Sequence, residues 1–328
     1  AFALGLAALI VSFLTDIPLI RLPQTMFASL NSFPLMAAPF FILAGKLMEH
    51  GGISQKIVDF ANALVGHLRG GLAYVAIVAS MFFAAISGSS IATTVAIGAI
   101  MIPAMVKMGY DRNFSSALHA ASGTIGGFIP PSVPMVLYGV AGGVSVGSLF
   151  LAGFLPGVLV GLSFMVVAYF HSRKHNYPTL ERKSWREVWL ALKNAFWALM
   201  LPVIILGGIY SGIFTPTEAS VVAVVYGFVI GAFVYKLIDW KVTKKILHST
   251  VVTTATLGII ISAASYFGMW LTLERVPHTI AEMFQEANLS PLVGILLIIL
   301  FLLILGTFMD ATAGLVICTP ILLPVAES

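Results

Sequence analysis

Residues 82–106 read "FFAAISGSSIATTVAIGAIMIPAMV". So apolar a run would suit a lipid-facing helix, yet Ser87, Gly88, Ser89 and Ser90 sit in its middle. In hydrocarbon a backbone group freed by a weak helix has no water to bond to, so such a tetrad is tolerated only against protein or a water-filled cavity. The stretch therefore predicts a turn at membrane depth, with apolar helices running into it and out of it.

The whole chain fits that setting. It has 328 residues, 59% hydrophobic and 9% charged, with a mean hydropathy of +1.02. A soluble globule could not carry this composition without large apolar patches, so the expected class is an all-α polytopic membrane protein. The lone Cys318 lies in an apolar segment and offers neither a disulfide framework nor a thiolate metal site. The formal charge of +4 does not point to nucleic acid, because the bases lie in short loops between apolar runs. Ala1 falls inside an apolar run and Glu327-Ser328 follows another, so material is expected to be missing at both ends, and no signal peptide is legible.

Apolar runs lie near 1–15, 35–49, 72–106, 113–148, 149–170, 195–214, 217–238, 251–273 and 291–326, where one crossing needs about 20 residues. Arg173, Lys174, Arg182, Lys183, Arg186 and Lys193 fill one loop, and Lys236, Lys241, Lys244 and Lys245 mark another. Both are expected to be cytoplasmic by the positive-inside bias. Walking outward from them puts Lys107 and Arg112 inside, and Arg69 joins them only if 72–106 enters and returns as a re-entrant hairpin. That solution leaves only Arg21 and Arg275 external among the 17 Lys and Arg residues.

Displacing the chain by 221 residues aligns 35–49 with 256–270, 53–69 with 274–290 and the hairpin 70–106 with 291–327, without a gap. The charge walk opens the two hairpins to opposite sides, so the repeat is inverted, an architecture of secondary transporters. The second tip is "LGTFMDATAGL", 305–315, where Asp310 aligns with Ser89. After the first hairpin, Pro130 and Pro131 interrupt 113–148 as a broken helix, since they remove two donors and bar a continuous helix. Carbonyls freed around Gly126 to Pro131, with Ser87 and Ser89, would supply roughly five or six hard oxygens, which suit a hard cation such as Na+. Each returning limb also aims a helix N-terminus at the centre, near Ser90 to Thr94 and near Thr312 to Gly314, and such termini attract anions. The expected cargo is an organic acid, with Ser90, Thr93, Thr124, Pro130, Ser132 and Thr312 as candidate substrate contacts.

In "PFFILAGKLMEHGG" (39–52), "SGSSIATTVAIGAIMIPAMVKMGYD" (87–111), "SGTIGGFIPPSVPMVLYG" (122–139), "GIFTPTEAS" (212–220) and "GTFMDATAGLVICTPILLPVAES" (306–328) the sequence resembles the large membrane subunit of a tripartite ATP-independent periplasmic (TRAP) transporter. The resemblance implies a sodium-coupled elevator carrier of carboxylates, such as a C4-dicarboxylate or sialic acid. It implies a location in the bacterial inner membrane, a small membrane (Q) subunit and a periplasmic substrate-binding (P) protein. It assigns Ser87 and Ser89, with the backbone of Gly126, Ile129 and Pro131, to one sodium site, and Gly306, Thr307, Met309 and Asp310 to a second. The family's second Pro-Pro broken helix would follow Ser328. On this basis 1–34 is an N-terminal scaffold helix and connector, and 35–148 is the first repeat, with 53–69 as its arm. Residues 149–250 supply scaffold helices and cytoplasmic loops, and 251–328 is the second repeat, truncated, with 274–290 as its arm.

Plainer readings compete at several positions. Ser and Thr in membrane helices usually pack or bond between helices, and that reading is taken for Ser163 and Thr256. Asp310, the one carboxylate deep in an apolar run, costs at least about 2.5 kcal/mol there, so function is the default, although it also stands where a helix N-cap would. His119 is a possible proton relay against the more usual structural histidine. Glu218, beside Pro216, reads as a helix N-terminal charge, and the lysine-rich loops as orienting, with anionic lipid as a lesser contact. Rival functions are a stand-alone sodium- or proton-coupled anion symporter without a binding protein, an intramembrane enzyme using Ser89 with His119, which lacks an orienting acid, and a passive structural subunit.

Overall fold

The computed structural model describes residues 2–14, 18–286, 290–309 and 311–327, all helix, turn or coil with no strand among them. In chain order the helices are α1 (Phe2–Leu14), α2 (Arg21–Leu30), α3 (Ala37–His50), α4 (Ile53–Val65), α5 (Gly71–Ser87), α6 (Ser90–Lys107), α7 (Arg112–Gly123) and α8 (Val133–Gly142). There follow α9 (Val146–Lys174), α10 (Trp185–Tyr210), α11 (Pro216–Val229), α12 (Trp240–Leu273), α13 (Val276–Glu286), α14 (Pro291–Gly306) and α15 (Ala311–Glu327). Among the described residues α6, α9, α10, α11 with its continuation to Val234, and α12 are long and apolar enough to cross a membrane. Residues 21–30 with 34–50 add a sixth if they count as one bent span. The chain is thus built as a multi-pass membrane protein.

Helix ends follow from local chemistry. Ser184 and Glu187 open α10 with a reciprocal capping box, and Thr215 and Glu218 do the same for α11 behind Pro216. Glu218 is the N-terminal charge expected, and its carboxylate accepts from both the N–H and the hydroxyl of Thr215. α11 runs on into a π turn, Ile230–Val234, where the Gly231 carbonyl accepts from both Leu237 and Ile238.

Two compact units are distinguished. In the first, residues 36–135 and 146–250, α3 packs along α11, α4 lies against α5 and α10, and α5 meets α6, α7 and α9. From α4, Lys56 sets its Nζ 4.6 Å over the ring of Tyr235. Where α7 begins and α9 ends, Tyr110 stacks on Tyr177 at 4.1 Å and Phe114 on His171 at 3.8 Å. Along α9, Gly153, Gly157 and Gly161 recur every four residues, and a Cβ on each would collide in turn with the Phe128 carbonyl (2.7 Å), Ile129 Cγ1 (2.7 Å) and Met81 Sδ (2.6 Å). Small residues at this spacing let backbones approach where lipid supplies no hydrophobic drive. α9, grouped by sequence with the scaffold, therefore lies against the limb α5 and the interrupted segment after α7.

In the second unit, residues 1–35, 136–145 and 251–328, α15 packs on α13 and α14. The Ser12 hydroxyl bonds that of Tyr266, and Ser262 donates to the Met26 carbonyl at 3.2 Å. The displacement of 221 holds at element level. It carries α4 to 274–286, where α13 is Val276–Glu286, α5 to 292–308, where α14 is Pro291–Gly306, and the start of α6 to Ala311, where α15 begins.

Close backbone approach gives a test. Gly157→Val should lower stability by about 1–3 kcal/mol through overpacking, read as a lower melting temperature in detergent. Gly207→Ala, where nothing lies within 4 Å of the added Cβ, should leave it unchanged or raised by up to about 1 kcal/mol.

Candidate functional site

The turn between α5 and α6 is built from three residues. Gly88 ends α5 in the left-handed region (φ 61°), its N–H bonded to the Ala84 carbonyl at 2.9 Å. Ser89 then swings to extended backbone, and its hydroxyl caps α6 by accepting from the Ala92 N–H at 3.3 Å. Thr93 folds back to donate to the Ser89 carbonyl at 2.8 Å and lies 3.1 Å from the Ser87 hydroxyl. Ser87 and Thr93 are buried.

Against this tip lies the interruption foreseen at the double proline. α7 tightens into a 3-10 turn, Thr124–Gly127, and the chain leaves helix until Val133. The Ile125 carbonyl takes the N–H groups of Phe128 (2.9 Å) and Ile129 (3.0 Å), and the Ser132 hydroxyl donates to the Gly127 carbonyl at 2.8 Å. The Pro130-Pro131 bond is cis. Two bonds stitch break to tip: Val133 N–H to the Gly88 carbonyl at 3.0 Å, and the Ser90 hydroxyl to the Thr124 carbonyl at 3.4 Å.

Glycines set how close the two backbones come. A Cβ on Gly88 would stand 2.5 Å from the Pro131 carbonyl oxygen, and one on Gly126 would stand 2.7 Å from the Ser89 carbonyl oxygen. Gly123 sits where any Cβ would overlap Thr94 Oγ1. Among the described residues, none of the hydrogen bonds of this segment ends on the carbonyl oxygens of Gly126, Ile129 or Pro131. All three residues are buried, so these are neutral hard acceptors with capacity to spare, in the place where backbone acceptors are seldom left unbonded.

Ser87, Ser89, Ser90, Thr93, Thr124, Gly126, Ile129, Pro130, Pro131 and Ser132 thus come together at one seat. Thr124 alone among them is exposed. The remaining candidates lie in the other compact unit. Gly306 and Thr307 are exposed at the end of α14, and Gly306 and Met309 line a cavity of about 470 Å³ with Tyr138, Gly314 and Cys318. Thr312 is half-buried in the first turn of α15. Asp310 lies outside the described residues. Sequence reasoning missed Gly45 of α3, whose Cβ would meet the Ser87 carbonyl at 3.0 Å, and the glycine spacing in α9. His119 shares no hydrogen bond with Ser89, since among the described residues neither ring nitrogen has a partner.

A family model described as the tripartite ATP-independent periplasmic transporter, DctM component, matches residues 1–328. The chain belongs to this family. Similar DctM-family relatives include the C4-dicarboxylate TRAP transporter large permease protein DctM of Pseudomonas aeruginosa, 46% identical over 92% of this chain and 70% of its own length. The sialic acid TRAP transporter large permease protein SiaM of Vibrio cholerae is 43% identical over 93% of this chain and 71% of its own. The isethionate TRAP transporter permease protein DctMQ of Oleidesulfovibrio alaskensis is 45% identical over 99% and 52%. The chain therefore spans about half the length of that permease and seven-tenths of the other two.

The seat of this DctM-family chain predicts a graded response. Ser89→Ala removes a cap and should cost about 1 kcal/mol. Gly126→Ala forces tip and break apart and should cost more, so its melting temperature in detergent should fall below that of Ser89→Ala.

Proposed function

We propose that the chain forms part of the large subunit of a sodium-coupled secondary transporter that imports an organic acid across the bacterial inner membrane. The seat of α5, α6 and the double-proline break carries this reading: among the described residues no hydrogen bond ends on the carbonyls of the buried Gly126, Ile129 and Pro131, and the tip backbone at Gly88 and Ser89 lies directly against Pro131 and Gly126. Oxygens of that kind fit a hard monovalent cation. Gly126, Ile129 and Pro131, with Ser87 and Ser89, would hold one sodium ion as a co-transported substrate. Gly306, Thr307, Met309 and Asp310 would contribute to a second site. A bound cation would supply positive charge beside the N-terminus of α6, and both favour an anion there. Ser90, Thr93, Thr124, Pro130, Ser132 and Thr312 are the proposed contacts to the acid. The three relatives are named for isethionate, a C4-dicarboxylate and sialic acid, all small organic anions.

In this reading α5–α6 and α14–α15 are re-entrant hairpins opening to opposite sides. They move with the broken segments as an elevator, while α4 and α13 act as arms to a scaffold that includes α10 and α11. α9, bound to the break through its glycines, travels with the hairpin. A small membrane subunit and a periplasmic binding protein would complete the transporter. Cation and acid binding are reciprocal, with a coupling of about 1–3 kcal/mol.

Uptake into liposomes carrying the chain with its partner subunits, tested on a panel of organic acids, checks the proposal. Uptake should require sodium and the binding protein, and Ser87→Ala should raise the sodium concentration for half-maximal rate about tenfold, the loss of one hydrogen-bonding ligand. Uptake driven by a pH gradient without sodium, or proceeding with free substrate and no binding protein, would favour the stand-alone symporter instead.

A further inference from the structure

The α6–α7 interface does not end at the seat. Descending from the tip, Ser89–Ser90 meets Gly126, Thr94 meets Gly123, and Gly98 meets His119, whose Cβ and Cγ lie 3.8 Å from where a Gly98 Cβ would be. The side chains step by about one helical turn on each strand of the contact, so the fit at the seat and the fit around His119 belong to a single packed surface. His119 is 1% exposed and Ser122 is fully buried. They stand three apart on α7 and therefore share a face. Among the described residues Nδ1 and Nε2 of His119 and Oγ of Ser122 all lack a hydrogen-bond partner.

Three unpartnered polar atoms side by side are more than packing requires. A satisfied structural histidine would have at least its N–H bonded, so the packed arrangement holds this imidazole against its preference for water. A charged ring could not be held there without a partner, and none is at hand. The titratable side chains on the elements against α7 are Tyr74 of α5, Lys107 of α6, and Tyr169, His171, Arg173 and Lys174 of α9, with Asp111 and Arg112 at its own start. None bonds the ring. Lys107 is nine residues beyond Gly98, about 13 Å along α6.

We propose that His119 is a proton-release site: the α6–α7 surface closes only around the neutral imidazole, so filling the seat with a cation expels a proton from His119, and protonation opens the surface and weakens the seat. This rests on the sodium reading of the seat. Its size follows from linkage. If the open surface leaves His119 with its ordinary value near 6.5, the sodium concentration for half-saturation should rise about tenfold between pH 8 and pH 5.5.

The test uses the full chain in detergent and two readouts. Sodium affinity, from the sodium dependence of the melting temperature against a choline background, should fall about tenfold from pH 8 to pH 5.5 in the wild type. It should hardly change in His119→Gln, which keeps a polar side chain but cannot take the proton, and should still fall in Ser122→Ala. Hydrogen–deuterium exchange of peptides from α6 and α7, without sodium and corrected for the intrinsic pH dependence, should speed up at pH 5.5 in the wild type and not in His119→Gln. An equal pH effect in His119→Gln overturns the proposal. If sodium moves the melting temperature at neither pH, the sodium reading of the seat fails by itself. The proton site is then upheld by an exchange change that His119→Gln abolishes, and overturned by one that it keeps.

Discussion

A pair of prolines cannot sit inside a membrane helix without stranding backbone groups, and stranded groups in hydrocarbon must be answered by protein. At Pro130-Pro131 the answer comes from the turn between α5 and α6. The Gly88 carbonyl takes the Val133 N–H, the Ser90 hydroxyl reaches the Thr124 carbonyl, and the break closes on itself through Ile125 and Ser132. Much of the first unit serves this meeting. Gly88, Gly123 and Gly126 bring the two backbones together, Gly45 brings α3 to Ser87, and the glycine stripe of α9 clamps the break from outside. What remains unanswered among the described residues, the carbonyls of Gly126, Ile129 and Pro131, is what the proposed cation would take up.

The same interface joins the seat to His119. A packed surface with three contacts at helical spacing does not open at one end alone, so burying an imidazole at its lower end ties a solvation cost to whatever closes the upper end. If the seat takes a cation as proposed, its affinity would then be tuned by a residue that touches no cation. This is an economical way for a small site built from neutral oxygens to respond to its surroundings, because the oxygens themselves have nothing to titrate.

Much of this was legible in the residues. The break expected in the middle of 70–106 falls between α5 and α6, with Gly88 and Ser89 outside helix and Ser87 and Ser90 closing and opening the flanking helices. The proline break and the 221-residue displacement also recur at element level, because glycine, proline and serine act locally and leave a mark on the sequence. The helix Arg21–Leu30 was read only as connector, since a ten-residue amphipathic stretch is too short to register among apolar runs. The π turn at 230–234 was invisible, because nothing in an apolar run distinguishes one hydrogen-bond spacing from another. The stripe Gly153, Gly157, Gly161 went unread: its four-residue spacing is a small-residue signal, but the sequence does not say what it faces. Neither does it show that the ring of His119 lacks a partner, which is a property of the packed surface alone.

The central claim is that α5 and α6 enter and leave on the same side, so that their turn meets the broken helix within the membrane. It is tested most directly by labelling single cysteines placed at Arg69 and Lys107, in a background where the buried Cys318 is replaced, with a membrane-impermeant thiol reagent in intact cells and in inverted vesicles. Both positions should react only in inverted vesicles. Reaction of one from outside and the other from inside would mean that the segment crosses the bilayer, and the seat would lose its place at membrane depth.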